Sequence, residues 1–101
     1  MASDEITVMA YFRAKEGRAE DLRDELLALI APATSEPGVL RFELYSSIED
    51  PNLLAALDTF ANQDALDSHV ASAPVSRFFN EVLPDLAGAP DVVRMRLFGK
   101  K

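Results

Sequence analysis

The chain has no cysteine. Disulfides, thiolate nucleophiles and cysteine-ligated metals are therefore excluded. It has no tryptophan and a single histidine, His69, so an imidazole-rich metal centre has nothing to draw on and no metal is expected. Basic residues are few: 10 Lys and Arg stand against 17 Asp and Glu, a net charge of −7. Such a surface repels phosphate backbones, so nucleic acid is not an expected partner. No glycine-rich phosphate loop is present. No run approaches the roughly 18 apolar residues needed to span a bilayer, and a membrane partner is not expected either. The first residues, MASDEITV, carry acids and no apolar run, so no signal peptide is expected and a cytoplasmic location follows as the default. There is no internal repeat, low-complexity tract or linker.

What is present fits one domain over residues 1–101. A chain of 101 residues buries about two-thirds of the surface it exposes when unfolded, so it gains from pairing with a partner. Residues 5–14, EITVMAYFRA, alternate, with Ile6, Val8, Ala10 and Phe12 on one face and Thr7, Met9, Tyr11 and Arg13 on the other. That period predicts a strand. Lys15-Glu16-Gly17 predicts a turn. From Arg18 to Ala33, the residues Leu22, Leu26, Leu29, Ile30 and Ala33 form one helical stripe, led by acids that suit a helix N-terminus. Pro32 is expected to kink or end the last turn, and Glu36-Pro37-Gly38 to stop the helix.

Residues 39–46, VLRFELYS, predict a second strand with Leu40, Phe42 and Leu44 on one face. Glu49-Asp50-Pro51-Asn52 predicts a hairpin turn into a third strand, Leu53–Phe60. Its apolar run is ambiguous by period alone, and the turn in front favours strand. Asn62 is expected to cap a short helix carrying Leu66 and Val70. Ser72 is expected to cap another, with Pro74 in its first turn, burying Val75, Phe78, Phe79 and Val82. Pro84-Asp85 and Gly88-Ala89-Pro90 read as loop. A last strand runs over Val92–Phe98, with Val93, Met95 and Leu97 opposite Arg94 and Arg96; the two arginines read as a solvated or interface face. The order is β-α-β-β-α-β with the second helix split. It predicts the ferredoxin-like fold, an α+β domain with a four-stranded antiparallel sheet and helices on one face. The open face, with Met9, Tyr11 and Tyr45, is apolar enough to predict a homodimer.

The segment DTFANQDALDSHVASAPVSRFFNEVL, residues 58–83, holds His69 and three phenylalanines. It is expected to close one side of a hydrophobic chamber with His69 near the wall. An imidazole titrates near neutrality, which suits proton transfer in an organic substrate. Asp58, at a strand end near the helix of His69, is a candidate to orient the ring or to cap the turn. Phe12, Phe42, Phe60, Phe78 and Phe79 are candidate pocket walls and equally candidate core. No nucleophile triad or metal cluster appears.

The stretches ITVMAYFRAKEGRAEDLRDELLALIAPATSEPGVLRFELY, EDPNLLAALDTFANQDALDSHVASAP and LAGAPDVVRMRLF resemble the antibiotic biosynthesis monooxygenase family, across nearly the whole chain. EPGVLRFELY and ALDSHVAS are the most specific pieces. The resemblance implies a dimeric α+β barrel with a pocket between each sheet and its own helices. It implies an oxidoreductase, a monooxygenase that uses no metal or flavin and takes a small aromatic quinol or anthrone and O₂. The family's aromatic-acid-x-Trp pattern is here Leu57, Asp58, Thr59 and Phe60. Its H-x-x-S-P-H pattern is here His69-Val70-Ala71-Ser72-Ala73-Pro74, with the first histidine only. Haem-degrading relatives ligate iron with a histidine at about the position of Phe79 and use an asparagine on the first strand and the tryptophan noted above; none of the three is present here, so haem degradation is not expected. Two function classes stand: a cofactor-free monooxygenase in which His69 and Asp58 manage the proton, and a non-redox dimeric ligand-binding protein or isomerase on the same scaffold.

Overall fold

The computed structural model describes residues 4–101. Strand β1 (Ile6–Arg13) is followed by helices α1 (Ala19–Leu27) and α2 (Ile30–Thr34), then strands β2 (Val39–Ser46) and β3 (Leu53–Phe60). Helix α3 (Gln63–Ala71) leads to α4 (Ala73–Arg77), a widened helical turn (Phe78–Val82), α5 (Leu83–Leu86) and strand β4 (Asp91–Met95). The four strands pair antiparallel in the order β2-β3-β1-β4. This is the ferredoxin-like α+β fold.

The alternation in β1 decides which face meets the helices. Ile6, Val8, Ala10 and Phe12 are buried, and Tyr11 and Arg13 are exposed. From β3, Leu54, Ala56 and Phe60 join them. One buried cluster gathers Phe12, Leu22, Leu26, Leu54, Phe78, Leu83 and Leu86; a second gathers Ile6, Val8, Phe60 and Leu66.

Local chemistry departs from simple periodicity at four places. The helix expected over residues 18–33 breaks after Leu27 and restarts at Ile30. Pro32 has no N–H for the carbonyl four residues back, and a restart puts it in a first turn, where none is needed. The break takes Ile30 off the buried stripe, leaving it 38% exposed. In β2 the register slips between Val39 and Arg41. This bulge turns Leu40 outward, 52% exposed, and Val39 takes its place against the second cluster. A bulged strand carries one extra residue, which a period of two cannot anticipate.

The third departure is at Pro84-Asp85, expected as loop, where the chain stays helical to Leu86. Leu83 N–H donates to Phe78 O, five residues back. The widened turn lets Pro84 sit in the first turn of α5, where its ring meets no carbonyl of a regular α-helix. The fourth is β4, which ends at Met95 rather than Phe98. Its ladder with β1 stops at the Thr7–Met95 pair, one residue short of the start of β1 at Ile6.

The face of the sheet away from the helices carries Tyr11, Tyr45, Val93 and Met95, all exposed. A second copy of the chain laid on this face would remove that apolar area from water. Light scattering at micromolar concentration is expected to give twice the mass of one chain. Tyr11→Glu is expected to shift it toward monomer, because an unpaired carboxylate resists burial. A wild-type mass equal to one chain would dismiss the assembly.

Among the described residues no helix is long and apolar enough to cross a membrane.

Candidate active site

Between the sheet and the helices lies a cavity of about 420 Å³. Its walls are mostly apolar and draw on both core clusters, with Val8, Phe12, Leu26, Phe60 and Leu66 among them. All five phenylalanines singled out in the sequence, Phe12, Phe42, Phe60, Phe78 and Phe79, line it, as do His69 and Asp58. The widened turn matters here. Residues that are adjacent on an α-helix point about 100° apart, yet Phe78 and Phe79 both reach Phe12, at centroid distances of 5.9 and 6.2 Å.

His69 is fixed from every side. Asn62 caps α3 by accepting the Ala65 N–H at 2.9 Å, which starts the helix that carries the imidazole. Ser72 ends it, donating its hydroxyl to His69 O at 2.6 Å; its side chain therefore closes α3 and does not cap α4, for which no side-chain cap forms. The ring lies 5.1 Å from Phe60 and 6.3 Å from Phe42. Only 6% of the residue is exposed.

Two carboxylates flank the imidazole. Nδ1 is 3.0 Å from Glu36 Oε2. A carboxylate can only accept, so the assignment that satisfies both groups puts the proton on Nδ1, donating to Glu36. Nε2 faces Asp58 Oδ2, 3.7 Å away, too long for a hydrogen bond and within ion-pair range when the ring is protonated. Asp58 Oδ1 is buried without a hydrogen-bond partner among the described residues. Burial pushes the Asp58 carboxyl up to about 6, and the adjacent His69 pulls it only part of the way back. A strand acid and a helix imidazole thus share one small volume at the chamber wall.

Glu36 was legible in the sequence only as part of a turn. It sits 33 positions from His69, and no local pattern links the two. Gly38 makes the contact feasible. A Cβ there would fall 2.5 Å from Ala65 Cβ, so the absence of a side chain lets α3 settle against the start of β2. Gly38→Ala is expected to cost about 1–3 kcal/mol, the usual penalty of overpacking, and to loosen the Glu36–His69 contact. A urea midpoint unchanged from wild type would contradict this reading.

Arg94, read from the sequence as part of a solvated or interface strand face, is exposed. It does not lie on the outer face of the sheet. Together with Val92 it lines the cavity, as do Gln63 and Asp67 from α3. No group of three or more His, Cys, Asp or Glu side chains among the described residues is arranged to hold a metal ion.

The fold and the chamber define a class: small ferredoxin-like α+β domains that enclose an apolar pocket between the sheet and its own helices. Comparison with known proteins narrows it. The antibiotic biosynthesis monooxygenase profile matches residues 5–81, and the chain belongs to that family. Among solved structures, protein SO0527 from Shewanella oneidensis is 29% identical, covers 94% of this chain and 92% of its own, and superposes with a TM-score of 0.91. PA3566 from Pseudomonas aeruginosa is 26% identical over 98% of this chain and 99% of its own, with a TM-score of 0.89. SnoaB from Streptomyces nogalater, a cofactor-independent oxygenase, is 16% identical over 97% of each chain, with a TM-score of 0.85; at that identity the likeness concerns the fold. Among curated protein sequences none matches the chain.

Proposed function

We propose that this protein is a cofactor-independent monooxygenase that oxidises a small aromatic quinol or anthrone-type substrate with O₂. The observation that carries the proposal is the pairing of Asp58 and His69, 3.7 Å apart, at the wall of an apolar chamber of about 420 Å³. The volume lies within the range of small-molecule sites. Electron-rich phenols and anthrones need only lose a proton to become anions able to pass an electron to O₂. The radical pair recombines to a peroxide, which loses water. One oxygen atom enters the ring system as a new carbonyl and the other leaves as water. The substrate and O₂ carry every electron, so the protein's task is to take the proton, hold the ring and keep water out.

Each residue then has a role. Asp58 and His69 accept the proton; a carboxyl titrating at about 6 is ionised at neutral pH, yet still basic enough to be useful. Glu36 is a positioning residue, holding the ring through Nδ1. The phenylalanines stack on the substrate and exclude water. A second copy of the chain completes a homodimer through the open sheet face. The printed description of SnoaB as a cofactor-independent oxygenase and the family membership agree with this chemistry. Oxygen-electrode measurement with a panel of quinols and anthrones is the test. Uptake of one O₂ per substrate, with one oxygen atom incorporated into the product and no H₂O₂ released, supports the proposal. Binding of such compounds without uptake would transfer the site to an acid–base isomerase or a ligand carrier.

A further inference from the structure

One row of residues crosses the cavity floor from strand to strand. Phe42 pairs with Asp58, Asp58 with Val8, and Val8 with Arg94. Residues paired directly across a sheet project on the same side, and all four line the cavity. The row therefore carries an acid at its second place and a cation at its fourth, with an aliphatic side chain between them. Adjacent strands lie about 4.8 Å apart, so the backbone positions of Asp58 and Arg94 are about 10 Å apart.

Arg94 differs from the other arginines of the sheet region. Arg13 is paired with Asp50 and Arg41 with Glu43. Among the described residues the Arg94 guanidinium has no hydrogen bond or ion pair, and Arg94 is the only Lys or Arg that lines the cavity. Two other ionisable groups besides His69 share that lining, Asp58 and Asp67. Asp67 Oδ1 is engaged by Gln63 Nε2 at 2.8 Å, and Asp58 stands two strands away. A guanidinium presents parallel donors that match a carboxylate. In a chain of net charge −7, this unpaired cation on the wall of an apolar chamber singles out one kind of ligand group.

We infer that Arg94 determines specificity and that the substrate is an aromatic hydroxy acid. Its carboxylate lies against Arg94, and the hydroxyl that loses its proton lies at the other end of the ring system, against Asp58 and His69. The inference rests on the proposal above that the reacting ring occupies this chamber. The span of the row suits a fused two-ring skeleton with the two groups at opposite ends. A skeleton with no charged group would leave the exposed Arg94 guanidinium to water alone.

The test compares two fluorescent probes, titrated without oxygen. One is a hydroxynaphthoate with hydroxyl and carboxylate at opposite ends of the two rings; the other is the naphthol that lacks the carboxylate. Wild type is expected to bind the acid about tenfold more tightly, the worth of one charge-assisted hydrogen bond. Arg94→Met is expected to weaken the acid about tenfold and leave the naphthol unchanged, while Arg94→Lys keeps part of the preference. Equal binding of the two probes by wild type, equal weakening of both by Arg94→Met, or binding of neither overturns the inference. Because the titration needs no turnover, it is independent of the oxygenase proposal. A preference for the acid without O₂ uptake from any quinol leaves Arg94 in its role and removes the oxygenase. Oxygen uptake from neutral quinols at equal rates in wild type and Arg94→Met keeps the oxygenase and removes the role of Arg94.

Discussion

Exchange of His69 for alanine is expected to lower the turnover of an accepted quinol by roughly 10²–10⁴-fold, the usual worth of a positioned acid or base. Two things are lost together. The Nε2 atom that faces Asp58 disappears, and Glu36 is left half-buried without its Nδ1–H partner. The fold is expected to survive with a melting temperature lower by a few degrees, since one partly buried hydrogen bond contributes about 1 kcal/mol. The pH profile separates a chemical role from a structural one. Wild-type turnover is expected to rise as pH climbs through about 6, where the Asp58 carboxyl ionises. A variant that oxidises a confirmed substrate at the wild-type rate would make the imidazole a structural bridge between helix and sheet.

The second large effect is on stability. Asp58 has a folded-state value of about 6 against 3.8 for a free aspartate, so folding favours its protonated form. The contribution is fully present below pH ~4 and is lost as pH rises through about 6, where the folded protein must ionise a desolvated carboxyl. Two pH units correspond to about 3 kcal/mol, a large part of the margin of a domain this size. Asp58→Asn keeps the shape and removes the charge. Urea unfolding at pH 8 is expected to show the variant more stable than wild type by up to about 3 kcal/mol, with the gap closing toward pH 4. Turnover by the same variant is expected to fall, because stability lost to a buried charge is a common feature of working sites. A variant less stable than wild type at pH 8 would mean that Asp58 is held by favourable contacts rather than strained by burial.

The readable and unreadable parts of this chain differ in the range of the interactions that set them. The strand Ile6–Arg13 and the Asn62 cap are written in neighbouring residues, so period and side-chain chemistry suffice to find them. The hairpin before Leu53 is likewise local, with Ser47 Oγ accepting the N–H groups of Glu49 and Asp50. The outward turn of Leu40 is not local, because a bulge is a matter of register against β3. The helical setting of Pro84 is not local either. The proline's cost to a helix is set by the hydrogen-bond spacing of the turn before it, where Leu83 N–H reaches back five residues to Phe78 O. The candidate site divides in the same way. His69 and Asp58 were visible as an unusual imidazole and a strand-end acid. Glu36 and Arg94 became visible only when the sheet brought residues from distant segments into one row and one contact.

The widened turn at Phe78–Val82 also bears on how such a domain tolerates insertions and deletions. A widened turn absorbs one extra residue, so a single residue removed from it would restore regular α-helical spacing and keep the two halves of the helix in phase. Phe78 and Phe79 could then no longer both meet Phe12, while the sheet, the Glu36–His69 contact and the Arg94 row would stay as they are. The shape of the chamber's aromatic end is thus set by the length of one segment rather than by the identity of its residues. A one-residue change in length there would exchange one ligand outline for another without touching the groups that move the proton.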